Sequence, residues 1–100
     1  MEEPYHIYII KDTNNNYRKV GISKDPYRRR SELQIGNAHY LELRRIYEVN
    51  CNCEKLVHAY LDKLKIDRYG GHGEWSMRNF KYKRVSNFLK RNGFYVKRVL

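Results

Sequence analysis

The sequence predicts a small α+β fold in which a three-stranded antiparallel sheet is flanked by helices. Runs rich in tyrosine and β-branched residues alternate with clusters of turn formers, and amphipathic stretches with helix-start signals accompany them. A chain of 100 residues, of which 41% are hydrophobic, supports one modest core. A sheet of this size is stable when helices cover its hydrophobic face.

The first segment predicts a β-hairpin. Tyr5–Ile10 is rich in tyrosine and isoleucine, residues 12–16 are turn formers, and residues 17–22 are again compatible with a strand. A hairpin closed by a four-residue loop would place Tyr8 opposite Lys19, with both side chains on one face of the sheet. The sequence does not fix this register, and a slip of one residue would separate the two side chains.

A helix is expected directly after the hairpin. Asp25 is a typical N-cap before a proline at the first helical position, so the helix is predicted over Pro26–Ile35. Spacings of three and four residues place Arg29 or Arg30 beside its apolar side and leave Arg28 in solvent. An arginine at the edge of a core needs a partner, and a phosphate group is one candidate.

The second half of the chain predicts one more long strand and two helices. Leu41–Val49 alternates imperfectly between apolar and polar residues, which is typical of a strand. Helices are expected over about 53–65 and 80–91, the second of them basic, and an edge strand is possible over 94–99. The residues expected to face the core from the two helices are Val57, Tyr60, Leu61, Leu64, Val85, Phe88 and Leu89.

The chain is strongly basic. Its formal net charge is +10, and the stretch from Arg78 to Leu100 carries eight lysines and arginines but no acidic residue. Such a surface attracts polyanions, which predicts nucleic acid as the partner and leaves a solvated basic tail as the alternative. The basic residues expected to contact the nucleic-acid backbone are Lys24, Arg28, Arg30, Lys81, Arg84 and Arg91.

Composition also bears on the compartment. No apolar run is long enough to span a membrane, and the first four residues do not resemble a signal peptide. Cys51 and Cys53 are separated by one residue, a spacing that disfavours an unstrained disulfide. We therefore expect an intracellular protein, cytoplasmic or nuclear, that does not bind membranes; a viral origin is left open.

Five short motifs follow one another in the order found in a known nuclease family. They are His6-Ile7-Tyr8, Lys19-Val20-Gly21, Arg28-Arg29-Arg30, Glu54-Lys55-Leu56-Val57-His58 and Gly73-Glu74-Trp75. The set resembles the GIY-YIG nucleases, in the variant common in phages and large DNA viruses whose second motif reads Lys-Ile-Gly. The resemblance covers roughly Tyr5 to Trp75. It implies a GIY-YIG-like fold and the hydrolysis of phosphodiester bonds in DNA.

The resemblance also implies roles for individual residues. Tyr8 would be the general base that takes a proton from water, and Arg29 would stabilise a phosphate oxygen. Glu54 would hold one divalent cation, Mg²⁺ or Mn²⁺, although its place in the first turn of a helix alone indicates a structural residue. His58 is open between a packed core histidine and a catalytic helper. Lys19 stands where better-known members carry a second tyrosine, and its charge would favour the tyrosinate form of Tyr8.

Other positions depart from the family pattern or stay open. His6 replaces the glycine of the first motif, and Asn79 is the nearest match to an asparagine found late in many family sites. Glu74 is interpreted as the partner of an arginine rather than as a second carboxylate at the metal. An alternative zinc site, which the ligand spacing disfavours, would use Cys51, Cys53, His58 and His72.

Two functions remain in comparison. The first is a metal-dependent DNA endonuclease formed by a single domain over residues 1–100, with its core over about 5–75 and a basic extension over 76–100. The second is a nucleic-acid-binding module on the same fold with weak or lost catalysis. A lone domain of this size often lacks its own specificity element. Either the basic extension supplies DNA affinity, or a targeting partner protein brings the domain to its site.

Overall fold

The protein folds as an antiparallel sheet flanked by helices, and a computed structural model describes residues 4–14, 16–63, 68–69, 75–76 and 80–100. The elements within these ranges are β1 (Tyr5–Asp12), β2 (Arg18–Ser23), α1 (Pro26–Gln34), β3 (Leu41–Val49), α2 (Glu54–Lys63), β4 (Arg68–Tyr69), β5 (Trp75–Ser76), α3 (Lys83–Arg91) and β6 (Val96–Arg98). The strands form one sheet in the order β4–β5–β2–β1–β3–β6. The three long strands β2, β1 and β3 are adjacent in it, and the predicted α+β class is confirmed.

The β1–β2 hairpin differs from its expected register by two residues. Tyr8 pairs with Gly21 rather than with Lys19, so the expected opposition of Tyr8 and Lys19 is wrong. The reason lies in the turn. The backbone N–H of Asp12 donates to the carbonyl oxygen of Tyr17 at 2.8 Å, so the four-residue loop begins at Thr13. Pairing of Tyr8 with Lys19 would require the loop to begin one residue earlier, at Asp12. Because side chains alternate between faces, a shift of two residues keeps Tyr8 and Lys19 on the same side of the sheet.

Asp12 also ties the hairpin turn to the loop before β3. Its Oδ1 accepts the backbone N–H of Asn14 at 2.9 Å, and its Oδ2 lies 3.0 Å from Nδ1 of His39. Asp12 is buried, so these partners satisfy a carboxylate whose burial alone would be unfavourable. The register of the hairpin is therefore supported by side-chain contacts that lie outside the two strands.

The two faces of the sheet are covered by different helices. Helices α2 and α3 pack on one face, and the buried residues of this larger core are Ile7, Ile9, Val20, Tyr47, Val49, Cys53, Val57, Leu61, Phe80, Val85 and Leu89. Helix α1 lies on the other face, where Leu33 packs against a smaller cluster of Tyr8, Ile10 and Leu41. The inward residues predicted for the second and third helices lie at this larger core, except Leu64, which is outside the described residues.

Most element boundaries agree with the sequence predictions, and α3 differs for a physical reason. It begins at Lys83 rather than near Phe80. Phe80 and Tyr82 both pack against the larger core, and residues two apart cannot share a face of a helix. The predicted edge strand is confirmed as β6, which pairs with β3. None of the helices in the described ranges has the length and apolarity needed to cross a membrane.

Replacing Ile9 by alanine should strongly destabilise this fold. Ile9 is fully buried in the larger core, and the cavity left by such a change lowers the free energy of unfolding by about 2–5 kcal/mol. Ile35→Ala is the matched control, because Ile35 is 83% exposed and a surface change of this kind costs within about 0.5 kcal/mol. Urea unfolding followed by circular dichroism measures both, and equal losses would contradict the assignment of the core.

Candidate active site

A three-residue segment of β2, Val20–Ile22, is where several of the candidate residues meet. The ring of Tyr8 reaches it from β1, and Arg29 of α1 is hydrogen-bonded to that tyrosine. Glu54 and His58 reach the same segment from α2. Residues that are far apart in the sequence are thus brought to one short stretch of backbone.

The ring of Tyr8 lies directly on the backbone of Gly21. A Cβ atom added to Gly21 would be 2.3 Å from the hydroxyl oxygen of Tyr8 and 2.5 Å from the ring carbon that carries it. Any side chain at this position would clash with the ring, so a glycine is required here. Tyr8 is only 3% exposed, and close packing holds its ring in one place.

Arg29 holds the hydroxyl end of Tyr8. The hydrogen bond from Arg29 to the Tyr8 side chain is the main reason why the pKa of Arg29 is raised, and Glu32 raises this pKa further. Nη1 of Arg29 lies 3.4 Å from Oε2 of Glu32. The side chain of Arg29 is 42% exposed, so a permanent positive charge links the buried tyrosine to the surface. Arg28 is exposed, as predicted.

Lys19 is buried on the same face as Tyr8. It is 2% exposed, and its backbone pairs with Ile10 of β1 and with Trp75 of β5. Because Lys19 lies two residues before Gly21 in β2, its side chain is the diagonal neighbour of Tyr8 rather than its direct cross-strand partner. The register therefore places a second cationic residue on the face of the sheet that carries Tyr8.

Glu54 and His58 bind the outer backbone edge of β2, beyond the two residues that pair with β5. Oε2 of Glu54 accepts the N–H of Ile22 at 3.0 Å, and Nε2 of His58 lies 2.7 Å from the carbonyl oxygen of Val20. Since a carbonyl can only accept, Nε2 of His58 carries the proton. A spacing of four residues places both side chains on one edge of α2. The pair makes the hydrogen bonds that a neighbouring strand would otherwise supply.

Glu54 is the residue expected to bind a metal ion. Its second oxygen, Oε1, has no hydrogen-bond partner among the described residues. The same part of the chain contains no group of three or more His, Cys, Asp or Glu side chains placed to hold a metal. Mg²⁺ binds through one or two carboxylates and keeps several waters. A single carboxylate with one unengaged oxygen fits an ion of this kind.

A groove of about 430 Å³ lies beside the start of α1. Lys24, Arg28 and Arg29 line it, together with Ser23, Asp25 and Glu32. Glu32 pairs with both Arg28, at 3.2 Å, and Arg29, which reduces the positive charge of the groove. Two of the predicted nucleic-acid contacts, Lys24 and Arg28, thus lie next to the segment that holds Tyr8.

The other predicted nucleic-acid contacts lie apart from this groove. Arg30 connects α1 to β3, because its Nε donates to the carbonyl oxygen of Leu41 at 2.9 Å. Arg84 and Arg91 line a groove on the outer side of α3. Lys81 is exposed shortly before this helix. The structure therefore distributes these cations over two surfaces, and it gives Arg30 a structural contact.

The cysteines are free, as expected from their spacing. Burial, together with the neighbouring Cys51, raises the pKa of the Cys53 thiol to about 11. Because zinc binds the thiolate, such a thiol is a poor ligand, and the zinc alternative gains no support. The remaining predicted positions, His72, Glu74 and Asn79, lie outside the described residues.

A match to a known family covers most of the chain. The family model of the T5orf172 domain matches residues 5–93. The chain belongs to the T5orf172 domain family. This domain is associated with phages and with nuclease-type folds, so membership supports a nucleic-acid-related role. The matched range extends past Trp75, where the motif resemblance ends, and includes α3. Comparisons with curated proteins and with solved structures give no significant match.

Two features of this T5orf172 site were missed by reasoning from sequence. The contact of Gly21 with Tyr8 was missed because it depends on the register, which the sequence does not fix. The hydrogen bonds of Glu54 and His58 to β2 were also not foreseen. The available signal was their spacing of four residues, which indicates one edge of a helix but not what that edge faces.

Gly21→Ala should displace the ring of Tyr8. Forcing a methyl group into this contact destabilises a packed structure by about 1–3 kcal/mol. The same change in a Tyr8→Ala background should cost much less, because the clashing ring is absent. A double-mutant cycle of urea unfolding measures this coupling. Equal costs in the two backgrounds would show that the contact is not what requires glycine.

Cys53 should react slowly with iodoacetamide. With a pKa of about 11, its thiolate fraction at pH 8 is on the order of one in a thousand, so Cys51 should be alkylated first. The rate at Cys53 should keep rising about tenfold per pH unit between pH 8 and pH 10, since the thiolate fraction rises in that proportion. Tandem mass spectrometry separates the two sites, and a rate that levels off near pH 9 would refute the raised pKa.

Proposed function

We propose that this T5orf172 protein is a metal-dependent endonuclease of the GIY-YIG type that hydrolyses phosphodiester bonds in DNA. The observation that carries the proposal is the convergence of Tyr8, Arg29, Glu54 and His58 on Val20–Ile22. Family membership supports a nucleic-acid-related role, and the net charge of +10 favours a polyanionic substrate.

Tyr8 is the general base in this proposal. The guanidinium of Arg29, hydrogen-bonded to Tyr8, and the side chain of Lys19 on the same face would stabilise the negative charge of the tyrosinate that this role requires. The tyrosinate takes one proton from a water molecule, and the water oxygen bonds to phosphorus. The bond from phosphorus to the 3′-oxygen breaks with its electron pair on that oxygen, which takes a proton from solvent, and Tyr8 returns its proton to solvent. Because the ring rests on Gly21, the base is held in a fixed position relative to β2.

Arg29 and α2 supply the remaining parts of the reaction. N–H groups of Arg29 that do not bind Tyr8 would donate to a non-bridging oxygen, where negative charge develops. Glu54 would hold Mg²⁺ or Mn²⁺ through Oε1 while Oε2 keeps its bond to Ile22. Such an ion, when bound, supplies Lewis-acid polarisation of the phosphate and stabilises the departing 3′-oxygen. His58 is a positioning residue, since its Nε2 fixes the edge of β2 beside Glu54.

A second candidate function is nucleic-acid binding without cleavage. The observation that favours it is that the hydrogen bonds of Glu54 and His58 to Ile22 and Val20 give both side chains a structural role. The basic groove beside α1 serves binding in either case. The two functions differ in whether DNA is cleaved and whether that cleavage needs the negative charge of Glu54. This can be tested by removing the charge while the hydrogen bond to Ile22 is preserved.

Glu54→Gln separates the two functions, because glutamine keeps an acceptor oxygen for the N–H of Ile22 but removes the negative charge. The native chain should nick supercoiled plasmid with Mg²⁺ or Mn²⁺, and EDTA should abolish nicking. Glu54→Gln and Tyr8→Phe should each lower the nicking rate at least about a hundredfold, which is typical for loss of a general base or of a metal-binding charge. The thermal unfolding midpoint of Glu54→Gln should stay near that of the native chain.

Matched controls test whether these losses are specific. Glu48→Gln removes a carboxylate from β3 that contacts the exposed Tyr95, and Tyr27→Phe removes the hydroxyl of a tyrosine that is 60% exposed. Both controls should nick at the native rate. If all five proteins bind DNA alike and none cuts it, the binding module replaces the nuclease.

A further inference from the structure

We propose that a second groove, on the face of the sheet opposite to Tyr8, binds the phosphate backbone of nucleic acid. The groove has a volume of about 310 Å³ and lies between β3, α3 and β6. Four of the residues that line it are cationic, and none carries a carboxylate. These cations are Arg45, Lys83, Lys90 and Arg98. The inference rests on the proposed function for the identity of the polyanion.

Three elements bring the four cations together. Lys83 and Lys90 are seven residues apart on α3 and therefore lie on one side of the helix. Arg98 of β6 pairs with Tyr47 of β3. Arg45 is two residues before Tyr47, so both side chains point to the same face of the sheet. Because the cations come from a helix and two paired strands, their arrangement is fixed by the fold.

Arg45 is oriented by contacts that do not neutralise it. Its Nη1 donates to the carbonyl oxygen of Arg44 at 2.8 Å, and its guanidinium lies 4.9 Å from the centroid of the Tyr82 ring. Both contacts hold the side chain in place and leave its positive charge uncompensated. A guanidinium held in this way is ready to bind a phosphate through two parallel hydrogen bonds.

No carboxylate in the described part of the chain forms an ion pair with any of the four cations. Other arginines of the same part do have acidic partners, since Arg28 and Arg29 share Glu32, and Arg44 pairs with Glu42. Like charges gathered around one groove repel one another, and a bound anion relieves this repulsion. The groove is therefore more suited to an anion than the one beside α1, where Glu32 competes.

The dimensions and charge of the groove favour a nucleic-acid backbone over a protein. A stable protein interface buries on the order of 1,000 Å² or more, whereas a phosphate backbone needs only a few converging cations. Repeating phosphates also match four cations spread over three elements better than a single anion does. Since the groove lies on the face of the sheet that α3 covers, and Tyr8 lies on the opposite face with α1, the segment bound here would lie away from the bond that is cut.

The test compares two double variants that each remove two positive charges. Lys83→Gln with Arg98→Gln changes the groove, and Lys55→Gln with Lys97→Gln changes exposed positions outside it. Lys97 is a close control, because side chains of neighbouring residues in β6 point to opposite faces. Fluorescence anisotropy with a labelled 30-base-pair duplex, and with one of its single strands, gives Kd in EDTA over a series of KCl concentrations.

The groove variant should raise Kd at least about tenfold at 100 mM KCl. It should also reduce the slope of log Kd against log salt concentration by nearly two, because each lost phosphate contact with duplex DNA lowers this slope by about 0.9. The control should change Kd less than about threefold. A loss seen with only one form of DNA supports the proposal and identifies that form as the ligand.

Three results would overturn the proposal. They are an unchanged Kd in the groove variant, equal weakening by both double variants, and displacement of DNA by polyglutamate as effectively as by unlabelled DNA. The last result would point to an acidic protein instead. Plasmid nicking is a separate measurement from Kd. If the native chain does not nick DNA but the groove variant still weakens binding, the nuclease proposal fails and the groove proposal stands. If the groove variant leaves Kd unchanged, the groove proposal fails whatever the nicking result.

Discussion

A strand needs hydrogen-bond partners along both of its edges, and β2 obtains them from three different sources. One edge pairs with β1 along the hairpin. The other edge pairs with β5 at Arg18 and Lys19 and then with the side chains of Glu54 and His58. Satisfying this outer edge adds two hydrogen bonds to the apolar packing of α2 against the sheet, since unpaired backbone groups in a partly buried place are costly. The candidate active site is built from the same contacts.

Helix α1 is attached to the sheet mainly by polar contacts. Pro26 is its one buried residue and Leu33 is half-buried, so apolar burial contributes less to its position than it does for α2. Arg29 reaches the hydroxyl of Tyr8, and Arg30 donates to the carbonyl of Leu41. The close fit of Tyr8 on Gly21 therefore determines the position of the hydroxyl group to which Arg29 of α1 is hydrogen-bonded. A clash at that glycine would affect the sheet, the tyrosine and the helix together.

The sequence predicted elements with strong local signals and failed where tertiary contacts decide. Alternation of apolar residues located β3 at its observed bounds, and Asp25 with Pro26 located the start of α1. The hairpin register is supported by Asp12, and one of the two partners of its side chain, His39, lies in another loop. The candidate residues were found through motif order, because spacing alone could place Glu54 and His58 on a helix edge but could not say that β2 lies opposite.

The hydrogen bonds of Glu54 and His58 to β2 have a consequence for how related chains should be interpreted. A relative that does not cut nucleic acid would still use both side chains to bind α2 to β2. Selection for a folded protein alone would then preserve a hydrogen-bond acceptor at position 54 and a donor at position 58, as the native pair provides. The presence of these two residues in a relative therefore indicates an intact fold, and it is not by itself a sign of an active enzyme.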